Sequence, residues 1–198
     1  MVCVIKVYVK SADGVCFAVA FSGEEILGVT LSSDQKTAVD TIRGSLAAKE
    51  PFEVFTQPTQ QIGALFAALK EFYDGKTPEY SFILADTDLP IYSQSVLRAV
   101  SAIPVGYVAS YGAVAKAVGG GARAVGNVMA SNLFPLIIPC HRVVKSDFGL
   151  GGYGAGGCGI KLELLRREQR GYSEHREINI DKGVLKVFPT ETVVKKYC

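Results

Sequence analysis

The sequence predicts an α/β amino-terminal domain with a small antiparallel sheet and helices, followed by a mainly α carboxyl-terminal domain that contains a helix-turn-helix. The first observation behind this fold class is a series of short amino-terminal segments rich in Val, Ile, Tyr and Phe and separated by turn residues. The second is the helical spacing of apolar residues that follows them. The third is a pair of short helical segments joined by only three glycines, which is typical of helix-turn-helix proteins.

The composition of the chain argues against a secreted, a membrane-spanning or a metal-binding protein. A chain of 198 residues has room for two small domains, and a net charge of +2 gives no strong overall field. The start MVCVIKVYVK lacks the features of a secretory signal, and no apolar run reaches the roughly 20 residues of a membrane span. Five cysteines and two histidines show no metal-ligand spacing. We therefore expect a soluble, cytoplasmic protein with no membrane partner, no metal and no cofactor.

The amino-terminal domain, residues 1–88, is predicted to begin with a three-stranded sheet. Residues 2–10 and 15–21 are rich in β-forming side chains, and Asp13-Gly14 between them is a strong hairpin signal. The segment from Glu25 to Leu31 would complete an antiparallel sheet. Nothing in this domain resembles a reactive cluster, so we expect it to serve as a scaffold.

Two helices and one more strand should follow this sheet. Ser33 or Asp34 would cap the first helix. A strand is expected near Phe52 to Phe55, and a second helix from Thr59 to Tyr73 carries an apolar stripe that would cover the sheet. The stretch from Asp74 to Pro90 contains glycine, prolines and aspartates, which is typical of a connector between domains.

The second domain, residues 89–171, should start with helices over Ser93–Ile103, Val108–Val118 and Ala122–Ser131. Three glycines join the last two of these. On the last helix, small residues recur every four positions and leave one face almost without side chains. Such a face permits either close helix packing or a close approach to a partner, and the spacing leaves both open. If the partner is DNA, a bare face suits the narrow minor groove.

The tetrad PCHR, residues 139–142, is the strongest candidate for a reactive site. A thiol has an ordinary pKa of about 8.5 and reacts as the thiolate, so Cys140 needs a base or a positive field. Adjacent side chains in an extended segment point to opposite sides, so His141 would act through a bridging water unless the chain turns sharply. The imidazole needs a carboxylate in turn, and Glu163 and Glu168 on the following helix are both candidates.

The rest of the chain consists of a loop, a helix and a tail. The loop from Gly149 to Gly159 is rich in glycine but lacks the Gly-Lys-Ser/Thr ending of a phosphate loop. A charged helix should follow over Ile160–Arg170, with leucines inward and charged residues outside. The tail, residues 172–198, has a hairpin signal at Asp181-Lys182-Gly183.

The segment PLIIPCHRVV resembles the active-site signature of the O6-alkylguanine-DNA alkyltransferases, also called methylated-DNA–protein-cysteine methyltransferases. The resemblance extends through SYGAVAKAV, ARAVGNVMASN, GGYG and KLELLRREQRG, and covers roughly Tyr92 to Gly171. It implies a ribonuclease H-like amino-terminal domain and a winged helix-turn-helix in the second domain. It also implies a single-turnover transferase, in which O6-alkylguanine flipped out of duplex DNA gives its alkyl group irreversibly to Cys140. Acceptance of O4-alkylthymine is left open.

The resemblance implies roles for individual residues. Cys140 would be the alkyl acceptor, His141 its water-linked base and Glu168 the carboxylate that orients the histidine. Asn132 would be the hinge between the recognition helix and the active-site strand. Tyr111 would turn the phosphate of the lesion and hydrogen-bond the guanine.

The resemblance also implies how DNA is bound. Arg123 would fill the gap that the flipped base leaves in the base stack. Small residues would let the recognition helix enter the minor groove, namely Ala122, Ala124 and Gly126. The substrate pocket would be formed by Pro135, Val143, Tyr153, Met129 and Lys161. The implied partner is double-stranded DNA that contains O6-alkylguanine, bound by a monomer with little sequence specificity.

Three other functions fit parts of the sequence. A lesion binder of the alkyltransferase-like type would keep the fold but lack the acceptor, and Cys140 argues against it. A DNA-binding regulator would need the helix-turn-helix but not the PCHR segment. A cysteine hydrolase would need an oxyanion site, for which the sequence has no motif.

Overall fold

A computed structural model describes residues 4–46, 51–79, 83–85 and 89–197. It contains two domains, each with a sheet and helices. Cys3 and Cys198 lie outside the described residues, and no described helix is long and apolar enough to cross a membrane.

The amino-terminal sheet confirms the predicted hairpin and third strand. Strands β1 (Ile5–Ala12), β2 (Val15–Ser22) and β3 (Glu25–Ser32) pair antiparallel. Strand β4 (Phe52–Phe55), which was also predicted, pairs parallel with β1, so the strand order is β3-β2-β1-β4. The expectation of a purely antiparallel sheet is therefore wrong. The chain crosses over through a helix before it adds β4, and such a crossover brings strands together in parallel.

Two helices cover opposite faces of this sheet. Helix α1 (Gln35–Leu46) packs on one face, and helix α2 (Gln60–Tyr73) packs on the other. Asp34 caps α1, since its Oδ1 accepts a hydrogen bond from the backbone N of Thr37 at 2.8 Å. Because it is covered on both faces, β2 is buried along almost its whole length.

The second domain begins with helix α3 (Ile91–Ser101) and then differs from the prediction. Val108 to Ser110 belong to strand β5 (Tyr107–Ser110), and helix α4 begins only at Tyr111. Ser110 ends the strand and starts the helix, because its Oγ accepts a hydrogen bond from the Ala113 N at 3.0 Å. The remaining elements are α4 (Tyr111–Val118), α5 (Ala122–Ala130), β6 (Val143–Val144), α6 (Gly157–Arg167), β7 (Arg176–Ile180), β8 (Gly183–Pro189) and α7 (Thr190–Val194).

The predicted carboxyl-terminal hairpin is confirmed as β7 and β8. Strand β8 also pairs with β5, in a sheet of order β6-β5-β8-β7. Leu185 and Val187 of β8 are both 0% exposed, so the hairpin packs into the core of the second domain. The domain bounds at 88 and 171 stay predictions.

The two domains share a continuous apolar core. Backbone hydrogen bonds also join them, including one of 2.7 Å from the Val29 N on β3 to the Leu133 O after α5. Strand β3 therefore lies directly beside the segment that leads to Cys140.

Candidate active site

The segment that carries Cys140 is held in shape by one side-chain amide. Asn132 Oδ1 accepts a hydrogen bond from the Phe134 N at 3.0 Å, and its Nδ2 donates to the Ile138 O at 3.1 Å. The amide thus ties the start of the loop to its end. This geometry suits the hinge role implied for Asn132.

The chain turns sharply at Cys140 instead of running extended. Residues 140–142 form a short 3-10 helix, in which the Arg142 N donates to the Pro139 O at 2.9 Å. The expected active-site strand is therefore wrong at these positions, and β6 begins only at Val143. The turn buries the whole triplet, with Cys140 7%, His141 1% and Arg142 7% exposed.

Glu168 is the carboxylate that meets this turn. His141 Nε2 lies 2.8 Å from Glu168 Oε1, at the carboxyl-terminal end of α6. Glu163, the other candidate, accepts a hydrogen bond from Arg167 Nε at 2.9 Å instead. Arg142 binds the same Glu168 carboxylate, with Nε 3.0 Å from Oε2 and Nη2 2.8 Å from Oε1. The third nitrogen of the Arg142 guanidinium, Nη1, donates a 2.6 Å hydrogen bond to the Ile103 O.

The charges of this cluster can be assigned from its contacts. Burial by itself would raise the pKa of Glu168, but the charges and hydrogen bonds of His141 and Arg142 outweigh it and lower that pKa to about 2. Burial, helped by the charges of Arg142 and Lys161, lowers the pKa of His141, and Glu168 offsets these effects only in part. Since Arg142 already balances the carboxylate, the imidazole is neutral at rest.

The neutral imidazole has a definite tautomer. The ionised carboxylate of Glu168 only accepts hydrogen bonds, so Nε2 of His141 carries the hydrogen. Nδ1 of His141 is then a bare lone pair. Among the described residues it is buried without a hydrogen-bond partner, and it can therefore accept a proton.

Cys140 rests as the thiol. Burial raises its pKa, while a hydrogen bond from the Asn132 side chain and the charge of Lys161 lower it only in part. Lys161 is 0% exposed, contrary to the expectation that the charged residues of this helix face outward. Its Nζ donates to the Val143 O at 2.7 Å and to the Gly152 O at 3.2 Å, and burial lowers its pKa to about 8.

Cys140 lines a cavity of about 210 Å³ beneath α5. Tyr111, Met129 and Tyr153, all predicted site residues, line it too. The complete lining is Tyr111, Gly126, Met129, Ala130, Cys140, Gly152, Tyr153 and Gly154. A larger cavity of about 670 Å³ lies between α3 and the β7–β8 turn, and no predicted site residue lines it.

Three predicted pocket residues lie outside this cavity. Val143 is 0% exposed because it pairs with Ala109 of β5, and Lys161 is buried beneath the cavity with its Nζ on the Val143 carbonyl. Pro135 lines a neighbouring cavity of about 360 Å³ against β3 and α1. In this conformation Pro135, Val143 and Lys161 therefore support the pocket from outside.

The face of α5 that carries the small residues is open. Ala122 and Arg123 are exposed, while Ala124 and Gly126 are half-buried. A Cβ added at Gly126 would meet no atom within 4 Å, so close helix packing does not account for the missing side chain. This face is free to approach a partner.

Arg142 is the functional residue for which the sequence reasoning assigned no role. A signal was present, because Arg142 follows the apolar run Leu136–Ile138 and precedes Val143-Val144, and an arginine buried in such a segment needs a partner. Among the residues that the structure describes, no three His, Cys, Asp or Glu side chains are grouped to hold a metal ion.

Comparison with known proteins gives the family. Residues 92–170 match the family described as 6-O-methylguanine DNA methyltransferase, DNA binding domain. A methylated-DNA–protein-cysteine methyltransferase of Methanothermobacter thermautotrophicus is 34% identical over 143 residues, which are 72% of this chain and 78% of that protein. The chain belongs to the methylated-DNA–protein-cysteine methyltransferase family.

Two solved structures agree with this membership. The O6-methylguanine-DNA methyltransferase of Pyrococcus kodakaraensis is 26% identical with a TM-score of 0.65, over 83% of this chain and 98% of that one. The Mycobacterium tuberculosis OGT in complex with DNA is 23% identical, also with a TM-score of 0.65, over 83% of this chain and 92% of that one. At that identity the second match supports the methyltransferase fold alone.

Proposed function

We propose that this protein repairs O6-alkylguanine in duplex DNA by direct reversal. The alkyl group moves irreversibly to the sulfur of Cys140, so each molecule repairs one lesion. The observation that carries this proposal is the position of Cys140, which lines a cavity under α5 and directly precedes a histidine that is hydrogen-bonded to a buried carboxylate. Family membership supports the same reaction.

The reaction follows from the resting protonation states. The Cys140 thiol passes its proton through one water to Nδ1 of His141, and Glu168, which Arg142 holds in place, stabilises the imidazolium that forms. The thiolate attacks the alkyl carbon, the S–C bond forms as the C–O6 bond breaks, and guanine leaves with the electron pair and then takes up a proton. Tyr111 lines the cavity and is the candidate donor to the guanine.

The DNA would be bound through its minor groove. Small side chains on α5 would let its backbone approach the groove, and Arg123, which is exposed in the first turn of α5, would fill the gap that the flipped base leaves in the base stack. Contacts of this kind read little sequence, because the base is identified in the pocket. A ribonuclease H-like first domain, a winged helix-turn-helix, a monomeric state and a cytoplasmic location belong to the same proposal.

Mass spectrometry tests the reaction. Incubation with a duplex that contains one O6-methylguanine should add the mass of one CH₂ unit to Cys140, because a methyl replaces the thiol hydrogen. Cys140→Ser should bind the duplex without gaining mass, and Cys158→Ser, at an exposed thiol, should react like the wild type. An unchanged wild-type mass, or a methyl on another residue, would refute the proposal. An O4-methylthymine duplex, run in parallel, measures the substrate range.

A further inference from the structure

The end of α6 that carries Glu168 is held by the amino-terminal domain. Asp74, which follows α2, forms an ion pair with Arg167, with Oδ1 and Nη1 3.0 Å apart. The same guanidinium lies 4.5 Å from the centre of the Tyr73 ring. Arg167 directly precedes Glu168 and points away from the cavity, towards α2.

The two chain segments also meet through their backbones. A Cβ added at Gly75 would lie 2.5 Å from the Arg167 O and 3.1 Å from the Glu168 N. Arg170 donates to the Gly75 O, to the Arg167 O at 3.2 Å and to the Gln169 O at 2.9 Å. It thus satisfies carbonyls at the end of α6, where a helix ordinarily frays. We call Tyr73, Asp74 and Gly75 with Arg167 and Arg170 the α2–α6 contact.

The α2–α6 contact is anchored in the first domain. Lys70 of α2 pairs with Asp74 at 2.5 Å and with Asp13 of the β1–β2 turn at 2.7 Å. Asp13 therefore belongs to the same ion-pair network, but its ion pair is with Lys70, and Arg167 acts on it only as a weaker, more distant charge. This makes it a matched control position.

We infer that Arg167 is a positioning residue for alkyl transfer, which holds the last turn of α6 against α2 and so keeps Glu168 at hydrogen-bond distance from His141. The inference rests on the proposed function. It gives the amino-terminal domain, expected to be a scaffold, a part in setting the active-site geometry. Two sets of contacts hold Glu168 in place: Arg142 binds its carboxylate oxygens, and the α2–α6 contact fixes its backbone. Loss of the α2–α6 contact lets the Glu168 carboxylate, together with Arg142, move away from the His141 imidazole.

Single-turnover kinetics tests this role. Arg167→Met should lower the rate constant at saturating O6-methylguanine duplex by roughly tenfold to a hundredfold, since a small misplacement of a catalytic group has effects of that size. Arg167→Lys should recover part of the rate. Asp13→Asn and Arg166→Gln, at a neighbouring exposed position, should stay within about twofold of the wild type. The dissociation constant of the duplex, measured with Cys140→Ser as background, should not change.

The pH profile separates positioning from general stability. The groups that interact with His141 are Glu168, Arg142, Lys161 and Tyr153. Of these, Glu168 raises the histidine pKa, so its displacement in Arg167→Met should move the acidic limb of the rate profile to lower pH. The inference would be overturned if Arg167→Met changed neither the single-turnover rate constant nor the acidic limb of its pH profile. It would also be overturned if Asp13→Asn lost as much rate as Arg167→Met. Failure of the wild type to take up methyl would instead refute the proposed function.

Discussion

Replacement of Arg142 by methionine should destabilise the protein strongly and in a pH-dependent way. The guanidinium neutralises Glu168, whose side chain is only 1% exposed. In the folded protein Glu168 stays ionised down to a pH of about 2, while in the unfolded chain it ionises only above about 4.5. Its contribution to stability is therefore complete above pH 4.5 and is lost as the pH falls towards 2.

The size of the effect follows from these values. A fall in pKa from 4.5 to about 2 corresponds to about 3 kcal/mol at neutral pH. His141 supplies part of this, but removal of Arg142 also leaves a carboxylate buried without its main partner, a change that typically costs about 3–5 kcal/mol. We expect Arg142→Met to lower the free energy of unfolding by about 3 kcal/mol at neutral pH, and the difference from the wild type to shrink below pH 4.5.

Urea unfolding at neutral pH and along a series of more acidic buffers measures this difference. Arg166→Met, at an exposed position on α6, controls for the loss of an arginine from the same region. Addition of Glu168→Gln to Arg142→Met removes the orphaned charge and should restore part of the stability. A loss below about 1 kcal/mol, or a double variant less stable than Arg142→Met, would refute the assignment of a buried charge pair.

Two further predictions concern the hairpin and Lys161. Leu185→Ala should cost about 2–5 kcal/mol because it opens a cavity where a fully buried side chain stood, while Val184→Ala, at a position 51% exposed, should change the unfolding free energy by less than about 0.5 kcal/mol. Lys161→Met removes a charge that lowers the pKa of the Cys140 thiol, so modification of Cys140 by iodoacetamide, followed by mass spectrometry, should require higher pH than in the wild type. Exposed Cys158 is the internal reference, and an unshifted Cys140 profile would contradict this role of Lys161.

The elements that the sequence predicted well are those with strong local signals. The Asp13-Gly14 turn and the apolar stripe of α2 specify their structures with few long-range contacts. Strand β5 was mistaken for helix because a strand buried on both faces has no alternation to distinguish it from a buried helix. The turn at Cys140 depends on the amide of Asn132, eight positions earlier, and a local pattern cannot show that contact.

The choice of Glu168 over Glu163 had a signal in the helical spacing. Lys161, Leu164 and Glu168 recur at i, i+3 and i+7 and are all 0% exposed, so they form one buried face of α6. Charged residues on such a face are costly unless they meet partners, and two of them on one stripe indicate a site. The partners themselves, the Val143 carbonyl and the Arg142 guanidinium, come from a distant segment and follow only from the fold.

The buried Arg142–Glu168 pair explains how one histidine can be neutral at rest and yet accept a proton. Burial is the largest influence on the pKa of His141 and lowers it, whereas Glu168 raises it and so favours a proton on Nδ1 before the thiol could give one up. Arg142 lowers the same pKa, so the base stays free while the carboxylate remains in place to stabilise the imidazolium. Loss of Arg142 should therefore move the acidic limb of the single-turnover rate profile to higher pH, opposite to the shift expected for Arg167→Met. If Arg142→Met and Arg167→Met moved the acidic limb in the same direction, Arg142 and the α2–α6 contact would not affect the His141 pKa in the opposite ways that their contacts imply.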